Sequence, residues 1–204
     1  MHNMVNATMI LSQVAELISG YAFRASLADE PVGDVRVVAM AQSVGDVLTA
    51  EAGLPSIAFP GVTSKLALVA GDVLFRPRGV STQAIYVESV QAPCIFAAPL
   101  VSMRVNDPQQ LDSWYLHWVL NSPQIQRDIN AQARGTMIRM VSLQSLRDIA
   151  IPVPAIQVQR QIVEVARLQR EERALSAKLV EKTQLYAEQV LWAAAQAASS
   201  PYTP

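Results

Sequence analysis

Two short segments of this 204-residue chain carry side chains that could hydrogen-bond to the edges of DNA bases. The first segment offers Arg76, Arg78, Ser81, Thr82 and Gln83, and the second offers Arg134, Thr136 and Arg139. An arginine presents paired donors that match guanine O6 and N7, and a glutamine matches adenine N6 and N7. Pro77 restricts the backbone between the first two arginines, so that both are offered with little loss of entropy.

The same arginines also have a simpler interpretation as solvated loop charges, or as partners of Asp72, Glu88 and Asp128. The net charge of −1 is not the basic footprint of a free-standing DNA-binding protein. Binding to DNA would therefore need a local cluster of basic residues or a basic partner. We expect sequence-independent DNA binding by the chain alone to be weak.

Several enzyme classes are excluded by missing motifs. The sequence contains no Gly-x-Gly-x-x-Gly, no Gly-Lys-Ser/Thr phosphate loop and no Gly-x-Ser-x-Gly elbow. Two histidines and one cysteine cannot form an ordinary zinc site. The segment Asn121-Ser122-Pro123-Gln124 looks like a base-holding loop of adenine methyltransferases, but it lacks the stacking aromatic residue, and helix capping explains all four residues. We expect no catalytic residue, metal or cofactor in this chain.

Turn residues and short apolar runs predict a β-rich body with flanking helices, an α+β fold. A central hairpin should turn through residues 76–83, after the Gly71-Asp72 bend. Helices are expected at Met9–Ile18, from Asp107 and from Ser122, with a further helical turn capped by Ser142. The helix after Asp107 should bury one face and leave His117 on its surface; that face comprises Leu111, Trp114, Tyr115, Trp118 and Val119.

A proline-containing segment, Ile151–Pro154, separates this body from a long C-terminal helix. Each proline fixes φ and removes a donor, so a helix must start afresh after it. Residues 156–198 lack Pro and Gly and predict a helix of roughly 60 Å. The organisation is thus a body at 1–155, a helix at 156–198 and a disordered tail at 199–204. An apolar stripe on the helix predicts a partner helix from another chain; it comprises Leu168, Leu175, Leu179, Tyr186, Val190 and Ala193.

The composition favours a cytoplasmic protein with a large core. Apolar residues make up 51% of the chain, yet no run approaches the ~20 residues that a membrane helix needs. A signal peptide is not expected, because no basic region opens the chain. The single cysteine, Cys94, excludes an internal disulfide framework and is expected to be a small buried residue in a strand.

Three motifs, in this order and spacing, resemble the specificity subunits of type I restriction-modification systems. They are Ile18–Phe23 (Ile-Ser-Gly-Tyr-Ala-Phe), Leu68–Phe75 (Leu-x-x-Gly-Asp-Val-Leu-Phe) and the close of the body. The matching residues of this last motif are Gly135, Thr136, Leu143, Leu146, Ile149, Ile151, Pro152, Pro154, Gln159, Ile162 and Val163. The chain departs mildly from the family pattern at Pro154-Ala155 and Val158-Gln159.

The resemblance implies one target recognition domain and one spacer helix, or half of a typical specificity subunit. It adds Tyr21 and Arg24 as residues that could face nucleic acid, while the simpler interpretation is a turn with two core aromatics. Two copies would pair through antiparallel helices and read a bipartite palindromic site in double-stranded DNA. The implied partners are a methyltransferase subunit, which uses S-adenosylmethionine to modify adenine N6, and a translocating restriction endonuclease subunit.

Two other hypotheses remain open on the sequence. The chain could be a dimeric scaffold or decoy that docks the methyltransferase or full-length specificity subunits without reading DNA. It could also be a fragment of a longer gene, with its apolar helix left unpaired.

Overall fold

The computed structural model describes most of the chain, and its described residues form two compact units, residues 1–163 and 164–204. The described residues are 7–24, 33–43, 45–49, 53–59, 61, 63–79, 82–91, 93–133, 135 and 140–199. Ser81, Arg134, Thr136 and Arg139 lie outside them.

The described elements confirm the α+β class, with strands grouped in the first unit and a long helix at the end of the chain. In chain order they are β1 (Ala7–Ile10), α1 (Leu11–Val14), β2 (Ala15–Ser19), β3 (Val35–Val38), β4 (Val47–Leu48), β5 (Ser56–Ile57), β6 (Val73–Arg76), β7 (Gln83–Val87), β8 (Cys94–Phe96), β9 (Val101–Val105), α2 (Ser113–Leu120), α3 (Pro123–Ala131), α4 (Leu143–Arg147), β10 (Ala150–Val153) and α5 (Ile156–Ser199).

The described strands form three sheets. The largest has the order β2-β9-β6-β7-β4, with β6 antiparallel to both β7 and β9. A second sheet has the order β5-β3-β8, and β1 pairs with β10 in a two-stranded sheet. Helix α2 packs on β6, β7 and β10. The predicted central hairpin is therefore confirmed as β6–β7, and it lies inside the largest sheet.

Two apolar clusters form the core around the two larger sheets, and the first contains residues of both sheets. One cluster includes Leu74, Ile85 and Phe96, and the other includes Val37 and Ile95. Cys94 is buried in β8, as expected. Burial raises the pKa of its thiol to about 12, with Arg36 opposing this shift, so the thiol stays protonated at neutral pH.

The helix predicted at Met9–Ile18 is wrong. The structure has β1 there, then the single helical turn α1, then β2. Strand β1 pairs with β10 and strand β2 with β9, and Leu11 and Val14 of the turn between them are buried. Pairing with distant strands overrides a local apolar spacing that also fits a helix.

The predicted start of the next helix is also wrong. Residues 107–110 form a turn in which the Asp107 carboxylate accepts from the Gln109 backbone N–H at 2.8 Å. Helix α2 begins six residues later, at Ser113, and Asp112 caps it by accepting from the N–H of Tyr115 at 2.9 Å. The Asp107 side chain does accept a backbone hydrogen bond, as a helix cap would, but it closes a turn and not the first turn of a helix.

The predicted surface position of His117 is wrong as well. His117 is 4% exposed, with its ring 4.9 Å from that of Trp114, whereas Trp118 is 36% exposed. Helix α2 is packed on more than one side, because it contacts both the hairpin and β10. The prediction of a single buried face therefore placed His117 on the surface and Trp118 in the core, whereas the structure has the reverse.

Candidate nucleic-acid interface

An ion pair between a buried carboxylate and a half-buried arginine fixes the base of the β6–β7 hairpin. Gly71 has φ +92°, a conformation that favours glycine, and it turns the chain into β6. The next side chain, Asp72, is 1% exposed. It accepts from Nε and Nη2 of Arg104, each at 2.7 Å, and from the N–H of Val69 at 3.0 Å. This hydrogen bond to Asp72 raises the pKa of Arg104, so the guanidinium remains charged.

The tip of the hairpin lies beside the end of the second candidate segment. Arg78 forms an antiparallel bridge with Met140, and the N–H of Val141 donates to the carbonyl of Pro77 at 3.0 Å. Met140 and Val141, which directly follow the second segment, therefore lie beside Pro77 and Arg78 of the first. The Arg78 side chain is exposed and forms no ion pair within the described part of the chain.

Arg76 and Gln83, which face each other across the hairpin, hold a neighbouring loop. Arg76 Nη1 donates to the carbonyl of Ser43 at 2.9 Å, and Gln83 Nε2 donates to the carbonyl of Gly45 at 2.9 Å. Both side chains are half-buried. These contacts position the loop beside the hairpin. They also occupy Arg76 Nη1 and Gln83 Nε2, which are donors that hydrogen bonding to a base would require.

The return strand of the hairpin is clamped by the corner between α2 and α3. Thr82 is 9% exposed, and its hydroxyl donates to Gln126 Oε1 at 2.7 Å. The Asn121 side chain accepts from the N–H of Ala84 at 2.9 Å and donates to the carbonyl of Ala84 at 2.8 Å. Ser122 is the N-cap of α3 with Pro123 at its first turn, which confirms the capping interpretation for these two residues, whereas the Asn121 side chain holds β7.

Sequence reasoning missed Asn121 and Gln126 as positioning residues. Their contacts reach 37 and 44 residues along the chain, and no local pattern reports such distances. The pairing suggested for Asp72 was also misassigned, because Asp72 binds Arg104 and not Arg76 or Arg78.

Tyr21 lies at a different place in the fold. Its backbone bridges to the end of β8, donating to the carbonyl of Phe96 at 2.9 Å and accepting from Ala98 at 2.9 Å. A side chain at Gly20 would place its Cβ 2.5 Å from the Ala97 carbonyl carbon, so this close approach requires glycine. Within the described residues, no hydrogen bond or ring contact joins Tyr21 to the hairpin tip.

The Tyr21 ring is part of a small aromatic cluster. It is 41% exposed and lies edge-on to Phe23 at 4.8 Å and to Phe59 at 4.9 Å. Arg24 is exposed nearby in sequence. These residues form a second candidate surface, separate from the hairpin tip in the contacts described.

Gln159 fastens the start of α5 to the segment before α2. It is fully buried, and its Oε1 accepts from the N–H of Asp112 at 2.9 Å. Its Nε2 donates to the carbonyls of Gln110 at 2.8 Å and Pro154 at 2.7 Å. One amide thus satisfies three backbone groups, and the first turns of α5 belong to the first unit.

The proline segment is held by a tyrosine. The Tyr115 hydroxyl donates to the carbonyl of Pro152 at 2.9 Å. Burial raises the pKa of Tyr115 to about 12, so this donor persists at neutral pH. The segment is not a free hinge but strand β10, in which Pro152 faces Thr8 of β1. The predicted fresh start of the helix at Ile156 is confirmed.

Within the second unit, α5 exposes many large apolar side chains. All six residues of the predicted stripe are exposed, for example Leu175 at 67% and Tyr186 at 69%. Val180, Leu185, Leu191 and Trp192 are exposed as well, and the stripe did not include them. Exposed apolar surface of this extent indicates a contact with another macromolecule.

Residues 6–177 match the family described as Type I restriction modification DNA specificity domain. The chain belongs to this family. No curated protein matches the sequence significantly.

Three solved structures have the same fold. The chain is similar to the type I restriction-modification S subunit from M. genitalium, with TM-score 0.60 and 17% identity over 93% of this chain and 45% of that one. It is similar to the HsdS subunit from Thermoanaerobacter tengcongensis, with TM-score 0.58 and 19% identity over 83% and 38%. A third match, at TM-score 0.62 and 21% identity over 94% and 44%, comes from a structure of the complex assembly of a type I system.

This specificity-domain chain spans less than half the length of each of those three chains. Specificity subunits of this family are non-catalytic. Within the described residues, no group of three or more His, Cys, Asp or Glu side chains could hold a metal ion, and no helix is long and apolar enough to cross a membrane.

Breaking the Arg104–Asp72 pair should destabilise this specificity domain strongly. In Arg104→Met the buried Asp72 carboxylate loses its partner, so we expect the free energy of unfolding to fall by about 3 kcal/mol. The matched control is Lys65→Met, which removes the other ion pair described, an exposed contact of 3.9 Å to Glu16. It should cost under about 0.5 kcal/mol. Urea unfolding measures both, and equal losses would contradict the role given to the buried pair.

Removing the Gln159 amide should unfasten the start of α5. Gln159→Leu leaves an N–H and two carbonyls unpaired in a buried site, which should lower the free energy of unfolding by about 3 kcal/mol. Gln161→Leu, the same change at an exposed position of the same helix, should stay within about 0.5 kcal/mol of the parent. Denaturant unfolding of both variants checks this, and a Gln159→Leu protein as stable as Gln161→Leu would refute it.

Proposed function

We propose that this chain reads one half of a bipartite DNA site and directs adenine methylation and DNA cleavage by partner subunits. The observation that carries the proposal is the backbone bridge between the exposed Arg78 and Met140, the residue that directly follows Arg139. Family membership supports DNA sequence recognition as the general role.

In this proposal the candidate residues divide into readers and supports. Arg78 is the described side chain best placed to contact bases, because it is exposed and lies next to Met140. Ser81, Arg134, Thr136 and Arg139 belong to the same two segments and are proposed to contact bases or phosphates. Arg76, Thr82 and Gln83 are proposed to act mainly by holding the tip, since their polar groups already bind protein atoms.

Tyr21 and Arg24 are proposed as a second contact that positions the domain on the phosphate backbone. Half or more of the hydrogen bonds in protein–DNA interfaces go to phosphate and sugar, and they set register without reading sequence. An exposed tyrosine and a neighbouring exposed arginine suit that role.

The proposed assembly is a homodimer formed through α5, bound to a methyltransferase subunit and a restriction subunit in the cytoplasm. S-adenosylmethionine would bind the methyltransferase and not this chain. The dimer would place two copies of the domain, residues 1–155, at opposite ends of paired helices formed from residues 156–198. The recognised site would then be palindromic and interrupted by unread base pairs.

The net charge of −1 fits recognition within a complex better than recognition by the free chain. Phosphate contacts supply most of the non-specific affinity for DNA. A near-neutral chain therefore depends on a basic partner for affinity and contributes the choice of sequence.

The same charge favours a second candidate function, a dimeric scaffold or decoy that docks methyltransferase or other specificity subunits without reading DNA. Its exposed apolar helix would suffice for docking. The two functions differ in one observable, which is whether the assembled complex methylates a defined motif.

Methylation mapping tests the proposal. The chain is co-expressed with a type I methyltransferase subunit from the same organism, and N6-methyladenine is mapped across the host genome. We expect a bipartite palindrome with identical half-sites. A stable complex that leaves no motif would overturn sequence recognition and leave the scaffold function.

Arg78→Ala should relax or abolish the methylated motif while leaving the complex assembled. A base-reading contact contributes about 1–3 kcal/mol of discrimination, or roughly fivefold to 150-fold. Arg160→Ala is the matched control, since Arg160 is exposed on the first turns of α5. An unchanged motif in the Arg78 variant would remove the hairpin tip from the proposed interface.

A further inference from the structure

The seam of α5 contains two opposite charges at apolar positions. Positions 168, 172, 175, 179, 182 and 186 follow at alternating four- and three-residue steps, the spacing of a two-helix seam. Four of them are apolar, namely Leu168, Leu175, Leu179 and Tyr186. The other two are Glu172 and Lys182, and all six side chains are exposed in the single chain. A charge on such a seam is costly unless the partner helix supplies its complement.

The seam is symmetric about Ala177. Glu172 and Lys182 lie five residues on either side of it, and Leu175 and Leu179 lie two residues on either side. Leu168 and Tyr186 lie at equal distances of nine residues. In an antiparallel pair centred at this level, every seam residue meets its symmetry counterpart.

We propose that two copies of this chain pair antiparallel with the two-fold axis at Ala177, so that Glu172 of each copy faces Lys182 of the other. This register rests on the homodimer of the proposed function and specifies its alignment. Leu175 then packs on Leu179, and Leu168 packs on Tyr186. Each dimer contains two charged layers and four apolar layers.

Other alignments leave charges uncompensated. Sliding the helices by one heptad places Lys182 against Leu179 in one direction and Glu172 against Leu175 in the other. A parallel, in-register pair places Glu172 against Glu172 and Lys182 against Lys182. A lone charge in an apolar layer loses solvation without a partner, and facing like charges repel. The charges therefore select the register while costing some stability, a use known for polar seam residues.

Charge reversal tests the register through the dimer dissociation constant, measured by sedimentation. Glu172→Lys and Lys182→Glu should each weaken the dimer about tenfold or more, because each creates two like-charged layers. The double variant E172K/K182E should restore wild-type affinity. An equimolar mixture of the two single variants should also dimerise well, since both layers of the mixed pair carry opposite charges.

The matched control is Glu181→Lys, which makes the same charge change next to Lys182. At about 100° per residue, position 181 points away from the seam, so dimerisation should change less than about threefold. A wild-type chain that sediments as a monomer would overturn the homodimer itself. A wild-type dimer that ignores the single reversals, or that the double variant fails to restore, would overturn the register and leave the homodimer standing.

Discussion

The ion pair between Arg104 and Asp72 is the contact on which the proposed recognition surface depends. It joins strand β9 to the start of β6 across 32 residues, with two hydrogen bonds of 2.7 Å around a carboxylate that solvent hardly reaches. Because a buried carboxylate without its partner is costly, the start of β6 has little freedom. Arg78 lies two residues beyond the end of β6, and the side chains of Asn121 and Gln126 hold the start of the returning strand. A rigid support lowers the entropy lost when a loop arginine binds a base.

A different set of contacts governs the start of α5. The Gln159 amide and the Tyr115 hydroxyl bind backbone groups that flank β10, so the helix begins in a fixed relation to α2. Gln159 belongs to the motif by which the sequence resembles its family, and it stabilises the fold by binding three backbone groups. We propose separate roles for two parts of the chain: the hairpin tip in the first unit selects the DNA sequence, and the α5 seam in the second unit pairs the copies.

Several turn, cap and proline signals in the sequence predicted the structure correctly, because each acts on the backbone within a few residues. The Gly71-Asp72 bend, the Ser122 and Ser142 caps and the proline-interrupted start at Ile156 all depend on neighbours a few residues away, and the structure has each of them. The helix at Met9–Ile18 failed because its residues pair with strands about 90 and 140 residues distant, which local spacing cannot report. His117 was misplaced for a related reason, since α2 packs on more than one side. The candidate DNA-facing segments were predicted from side-chain chemistry, but the bridge between Arg78 and Met140 and the hydrogen bonds of Arg76, Thr82 and Gln83 are visible only in the fold.

The most direct test of the account is amide hydrogen exchange on the complex with its methyltransferase, in the presence of duplex DNA carrying the methylated motif. A duplex with the motif scrambled is the control for non-specific binding. We predict slower exchange with the specific duplex in residues 76–83 and 134–141, beyond any slowing caused by the scrambled one. Unchanged exchange in both segments while the specific duplex is bound would contradict it, and would move sequence reading away from the hairpin tip.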